Sequence, residues 1–287
     1  MRSEALMLKY VSVLFSLCML FLNGCENTDV QTATDAGMDA LRAVTLSDQD
    51  VIAISERAVR DSDLANRLAP PESTYSRRLQ QLVGEHRKEN NLNFTYGVYL
   101  SPEVNAFAMA DGTIRVYSGL MDMLNDGELT FVIGHEMGHM AKNHIRKKIQ
   151  LAYAASAVRK SIASQNNDAG SVARSLFGDL AQSLANAQFS QFEEKEADDY
   201  GLAFLKRQKV PPEHAVSALK KLAALGKDHS FLSSHPDSQK RAERLQAQLE
   251  GKAVSIEEGK QNLVAMAKQI LENIYSWVLM MLSKLFA

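Results

Sequence analysis

Apolar residues are distributed along the chain in three ways, and each predicts a different kind of element. Tyr10 to Leu22 is almost wholly apolar and follows Arg2 and Lys9; it has the length of a secretory h-region and is too short to span a bilayer. Phe94 to Leu100 and Thr113 to Tyr117 alternate, which predicts two strands with Asp111-Gly112 as a hairpin turn between them. Elsewhere the pattern is helical. Ser47 with Asp50 opens one helix, and residues 73–89 form a second after the Pro70-Pro71 break. Asn125 with Glu128 is a capping pair whose helix is expected to run through Phe131 and Ile133 to about Lys148. A polar stretch, Gln165 to Ser171, interrupts the next helical region. Ser190 with Glu193 forms a second capping box, and Pro211-Pro212 and His235-Pro236 mark two further helix starts. Gln261 to Ala287 places Leu263, Ala267, Ile270, Ile274, Trp277, Met281 and Leu285 on one stripe, read either as a helix docked on the core or as one lying against lipid or a partner.

The leader ends in Leu22-Asn23-Gly24-Cys25, which resembles the lipobox of bacterial lipoproteins, where cleavage before the cysteine leaves its thiol diacylated and its amine acylated. An ordinary signal peptide or an uncleaved anchor is the alternative; a small residue directly before a lone cysteine argues against it. Cys18 lies inside the h-region, so the mature chain keeps only Cys25 and has no disulfide. Glu26 follows the cysteine, whereas lipoproteins retained in the inner membrane usually carry Asp there. The expected location is therefore the periplasmic face of a bacterial outer membrane, held through lipidated Cys25 and in addition, on the second reading of the tail, by the C-terminal helix. Acyl chains contribute about 0.8 kcal/mol per buried methylene, enough for stable anchoring when more than one is attached. Four regions are predicted: a lipoprotein signal peptide over 1–24, a lipidated N-terminus and spacer over 25–46, a catalytic domain over 47–251 and an amphipathic helical tail over 252–287.

Composition narrows the function. The 287 residues are 46% hydrophobic and 23% charged, an ordinary globular balance. With 32 basic and 34 acidic side chains, and no dense Lys/Arg run, the chain has no phosphate-neutralising surface, which excludes nucleic acid as a partner.

The chemistry is carried by His135-Glu136-Met137-Gly138-His139. On a helix, histidines four apart share one face and can bind a single tetrahedral zinc ion, while Glu136 lies beside the metal, placed to take a proton from water there. Leu129, Val132, Ile133 and Met140 make the same helix apolar on one side. A third ligand is needed. His144 lies nine residues from His135, which turns it toward the opposite face of an ideal helix, so it is read as a surface residue or one behind the ligands. Glu194 and Asp198 lie four apart, so Glu194 can ligate while Asp198 orients a ligating imidazole; composition alone would make them part of a solvated acidic face.

Taken in order, Asn105-Ala106-Phe107-Ala108, Ile114 to Met123, His135 to His139, Ser190-Gln191-Phe192 with Glu194 to Tyr200, and His235-Pro236 with Arg241 resemble the HtpX-like membrane-associated zinc metallopeptidases over roughly residues 45 to 250. The resemblance implies one zinc ion per chain held by His135, His139 and Glu194, with Glu194 rather than Glu196 as the ligand. It makes Asn105 to Ala108 an edge strand that receives an extended substrate. It places His235 and Arg241 near the metal, where they steady an oxyanion; alternatively, His235 caps the zinc in a latent state, or simply caps a helix before Pro236. The tail after Gly251 lies beyond it.

The expected fold is α+β and predominantly helical: a zincin-like metalloprotease domain with a small sheet whose edge strand flanks the zinc helix. The expected function is zinc-dependent endopeptidase of the cell envelope, with Glu136 as general base and misfolded or misassembled envelope proteins as substrates. Other envelope proteases or assembly factors are possible partners. The competing function is a periplasmic chaperone for outer-membrane proteins that rarely cuts, a role for which Glu136 would be unnecessary.

Overall fold

The computed structural model describes residues 29–84, 86–89, 92–164, 188–226 and 230–252; the expected signal peptide, the lipidation site Cys25 and the tail from residue 253 lie outside them. The described elements are α1 (Val30–Thr45), α2 (Asp48–Ala65), α3 (Thr74–Val83), β1 (Lys88–Glu89), β2 (Leu92–Asn93), β3 (Thr95–Tyr99), β4 (Ala106–Ala108) and β5 (Thr113–Tyr117), followed by α4 (Ser118–Met123), α5 (Asp126–Ala141), α6 (His144–Ala163), α7 (Gln191–Arg207), α8 (Glu213–Ala223), α9 (Ser230–Ser234) and α10 (Ser238–Leu249). The chain is thus α+β and mostly helical, as its pattern predicts. Among the described residues no helix is long and apolar enough to cross a membrane. Two compact units divide the chain, residues 1–58 with 145–187 and residues 59–144 with 188–287.

In the first unit, Val30–Thr45 of the segment expected to be a spacer is helical. Asp29 caps α1 by accepting hydrogen bonds from the Gln31 and Thr32 amides. Asp39 then faces inward, where Lys160 reaches it at 2.7 Å and the Ser156 hydroxyl donates to it at 2.6 Å. These partners lie on α6, more than a hundred residues away, so composition around residue 39 gives no sign of them. A buried carboxylate is tolerated only with such partners.

In the second unit the strand order is β3-β5-β4. β3 runs parallel to β5, with Thr95 opposite Thr113 and Tyr99 opposite Tyr117, and β4 pairs antiparallel to β5, with Ala106 opposite Val116. The Asp111-Gly112 turn therefore joins β4 to β5, not the 94–100 strand to β5 as the alternation suggested. Parallel neighbours need a long crossover, and residues 100–112 supply it. Ala106-Phe107-Ala108 is too short and too apolar to show alternation. Gly112 adopts φ 97°, and a Cβ there would stand 1.9 Å from the Asn93 carbonyl, so the turn requires glycine. The helix expected over 73–89 stops at Val83, with Gly84 as its last capping residue, and Lys88–Glu89 turns back as a strand paired with Leu92–Asn93.

α5 begins as expected: Asn125 accepts from the Glu128 amide at 2.9 Å, and Glu128 accepts from the Asn125 amide at 2.9 Å. The Glu128 carboxylate also takes Ser217 Oγ and Lys221 Nζ from α8, at 2.5 and 2.7 Å. The helix ends at Ala141, not near Lys148, because Asn143 adopts φ 59°, the left-handed conformation that after glycine suits Asn best. A separate helix, α6, starts at His144.

α5 packs closely on α7. A Cβ at Gly138 would lie 3.0 Å from Ala197 Cα and 2.9 Å from Tyr200 Cβ, and one at Gly134 would lie 2.9 Å from Phe204 Cβ. Only hydrogen fits between these backbones. Gly138→Ala is expected to cost about 1–3 kcal/mol through overpacking, read as a lower midpoint in denaturant unfolding of the zinc-free protein; an unchanged midpoint would mean that the helices separate freely.

Candidate metal centre

α5 carries His135, Glu136 and His139, α7 carries Glu194 and Asp198, α10 carries Arg241, and His235 lies between α9 and α10. All seven side chains are buried. His135 Nε2 lies 3.0 Å from His139 Nε2 and 3.3 Å from His235 Nδ1, and Glu194 Oε1 lies 3.4 Å from His139 Nε2 and 3.0 Å from His235 Nδ1. Four potential donors thus converge, all within 4.8 Å of one another. Ligands about 2.0–2.2 Å from a tetrahedral centre stand roughly 3.3–3.6 Å apart. The set therefore fits one small cation, and imidazole with carboxylate is donor chemistry that suits zinc.

Protonation states agree with that fit. Burial alone would raise the Glu194 carboxyl, but Arg241 beside it, followed by His235 and His139, holds it well below the usual carboxylate range. Burial pushes the His139 imidazole well below the ordinary histidine value, against the opposing pull of Glu194. An ionised carboxylate and a neutral imidazole are the forms that bind metal.

The groups around the donors fix their orientation. His135 Nδ1 is 3.0 Å from Asp198 Oδ1. Arg241 donates to both Asp198 oxygens, at 2.6 and 3.0 Å, and its guanidinium also contacts Glu194 Oε2. Burial would raise the Asp198 carboxyl, yet Arg241 and then His135 hold it well below its ordinary value. Glu136 is not among the converging donors; its Oε1 lies 3.4 Å from His235 Nε2. The edge strand β4, with Ala106, Phe107 and Ala108, lies against α5, and Asn105 precedes it, its carbonyl accepting from the Tyr117 amide at 3.0 Å.

Two aromatic walls escape the sequence pattern. Phe189 stacks on His139 with ring centroids 3.7 Å apart, and Phe231 stacks on His235 at 4.3 Å. A signal for Phe189 exists: an apolar residue just before a helix cap usually packs on the fourth helical residue, which here is Glu194 and unsuitable. Of the two readings for His144, the structure gives the one behind the ligands: it is fully buried against His139, because the break at Asn143 takes it off the continuous helix that would turn it to the opposite face.

The sequence model of peptidase family M48 matches residues 73–249. Metalloprotease LoiP of Escherichia coli strain K12 is 42% identical over 229 residues, covering 78% of this chain and 90% of that protein. Metalloprotease YcaL of the same organism is 39% identical over 232 residues, covering 78% and 91%. Protease HtpX of Haemophilus influenzae strain PittGG is 25% identical over 184 residues, covering 52% and 65%. With a buried His/Glu cluster that could hold a metal ion, assembled from the helix that bears the HExxH motif, from α7 and from the segment before α10, and with this similarity over most of its length, the chain belongs to peptidase family M48 and is a metalloprotease.

Proposed function

We propose that the protein is a zinc endopeptidase of the bacterial cell envelope, anchored by lipid on Cys25 to the periplasmic face of the outer membrane, that hydrolyses misfolded or misassembled envelope proteins. The convergence of His135, His139 and Glu194 with the Glu136 carboxylate beside them carries this reading. His135, His139 and Glu194 would hold the zinc, which when bound supplies Lewis-acid polarisation of the scissile carbonyl and a nucleophilic water at neutral pH. Glu136 takes the proton released as water attacks and passes it to the leaving amine. Asp198 holds His135 in the tautomer that leaves Nε2 free, and Arg241 balances the two buried carboxylates. Residues Asn105 to Ala108 offer an extended substrate the side of β4 that pairs with no other described strand, where main-chain pairing accepts many sequences. Purified protein should degrade casein, lose that activity on chelation and regain it with added zinc. Binding of unfolded protein without cleavage, zinc present, would instead support a chaperone.

His235 occupies the fourth donor position, an arrangement that supports the latent form over the oxyanion role. His235→Ala is expected to raise casein turnover roughly tenfold, the gain when a closed form about 90% populated is opened. A fall of about a hundredfold with zinc retained would make His235 an oxyanion donor. Unchanged turnover and zinc affinity would reduce it to a helix cap.

Cys25→Ser is expected to abolish labelling by a palmitate analogue and to leave an unprocessed or mislocalised precursor on membrane fractionation. Equal labelling of variant and wild type would rule out the lipid anchor.

A further inference from the structure

We infer that His144 and Glu196 are positioning residues for His139, forming a hydrogen-bonded line from its far nitrogen to a carboxylate; this rests on the reading of His135, His139 and Glu194 as the metal ligands. His139 Nε2 faces the other donors, while its Nδ1 faces away and lies 3.0 Å from His144 Nδ1. His144 Nε2 in turn lies 3.1 Å from Glu196 Oε2. A ligating nitrogen offers its lone pair, so Nε2 of neutral His139 carries no hydrogen and Nδ1 must carry one. That hydrogen is donated to His144 Nδ1. An accepting Nδ1 places the hydrogen of His144 on Nε2, where Glu196 accepts it. One assignment of hydrogens satisfies the whole line, and it is the one that leaves His139 ready to bind metal.

The other histidine ligand uses a shorter version of the same device, since His135 Nδ1 meets Asp198 Oδ1 directly at 3.0 Å. Both imidazoles are therefore tied to carboxylates of α7, one directly and one through an intervening ring. The difference has an electrostatic reason. Glu194 and Asp198 are already buried carboxylates that share Arg241, with Arg244 also 3.5 Å from Asp198, and a third buried carboxylate would add a further desolvation cost. The His144 ring is fully buried and spans the gap, so that Glu196, whose side chain is 29% exposed, stays near water. His144 becomes available for this only because Asn143 ends α5 and turns the chain.

A mere space-filling role for His144 makes different predictions from a hydrogen-bonding one. The test uses full-length protein in detergent, with zinc affinity measured by competition against a chelating dye and the visible spectrum of the cobalt-loaded protein as a second readout. His144→Leu fills most of the volume without an acceptor and should weaken zinc binding about 10- to 100-fold, with altered cobalt bands. His144→Asn places an amide oxygen near the site of Nδ1 and should restore affinity to within about threefold of wild type, since that one acceptor is the contact the metal ligand needs. Glu196→Gln, which still accepts from His144, should be milder than His144→Leu. Wild-type affinity and cobalt bands in His144→Leu would overturn the inference. So would equal losses in His144→Leu and His144→Asn when both zinc-free proteins unfold at the wild-type temperature. Glu194→Ala serves as the control: if it binds zinc as wild type does, the ligand assignment itself fails, whereas zinc loss there with none in His144→Leu removes only the positioning role.

Discussion

Glu136→Gln is expected to leave the protein folded and zinc-loaded while lowering peptide hydrolysis by about 10²–10⁴-fold, the contribution of a positioned general base. Glu136 is buried on α5 between the two histidines of the motif but stands apart from the converging donors, with its Oε1 3.4 Å from His235 Nε2. The amide keeps the volume and a hydrogen-bonding oxygen and cannot take a proton at neutral pH. Casein hydrolysis measured beside metal content on the same preparation separates the two quantities. Wild-type turnover in the zinc-loaded variant would sink the assignment of Glu136.

Glu194→Ala is expected to produce the largest loss of metal, a fall in zinc affinity on the order of a hundredfold or more, since total zinc binding free energies of about 10–16 kcal/mol are shared among very few ligands. Glu196→Ala should lose far less, because its carboxylate reaches the site only through His144. The substitution also leaves Arg241 with Asp198 as its remaining carboxylate, so zinc affinity has to be compared with the folding stability of the zinc-free protein. Should Glu196→Ala strip the metal and Glu194→Ala retain it, the third ligand has been placed one residue pair too early.

What the sequence revealed, and what it concealed, follows from the range of each interaction. Both capping boxes, at Asn125 and Ser190, are local, involve residues three apart, and occur where their spacing predicts. The spacing of His135 and His139 is equally local, and the periodicity of α5 places both on one face. The parallel pairing of β3 with β5 depends on a crossover, and no alternation within either segment encodes a partner. Residues 30–45 form a helix whose Asp39 meets Ser156 and Lys160, a contact with no trace in nearby composition. The approach of α5 to α7 was written in Gly134, Gly138 and Gly201, but a glycine inside a helix says that something comes close without saying what. The break at Asn143 was more accessible, since Lys142-Asn143 before a new helical run is a recognised C-terminal signal; the continuing apolar pattern through Ile145 and Ile149 obscured it.

Because α5 stops at Ala141, His139 lies in its last turn, while Glu194 lies in the first turn of α7. The unpaired carbonyls at a helix end act as about half a negative charge, and the unpaired amides at a helix start as about half a positive one. A cation held by His139 is therefore drawn by the end of α5, and the Glu194 carboxylate is stabilised by the start of α7, each by about 0.3–1 kcal/mol and more where water is excluded. Had α5 continued toward Lys148, the second histidine would sit in mid-helix, where successive peptide dipoles cancel, and the backbone would contribute nothing to holding the ion. The two helices face each other with opposite poles at the metal site, so part of the field that attracts the cation is built into the main chain and is beyond the reach of side-chain substitution.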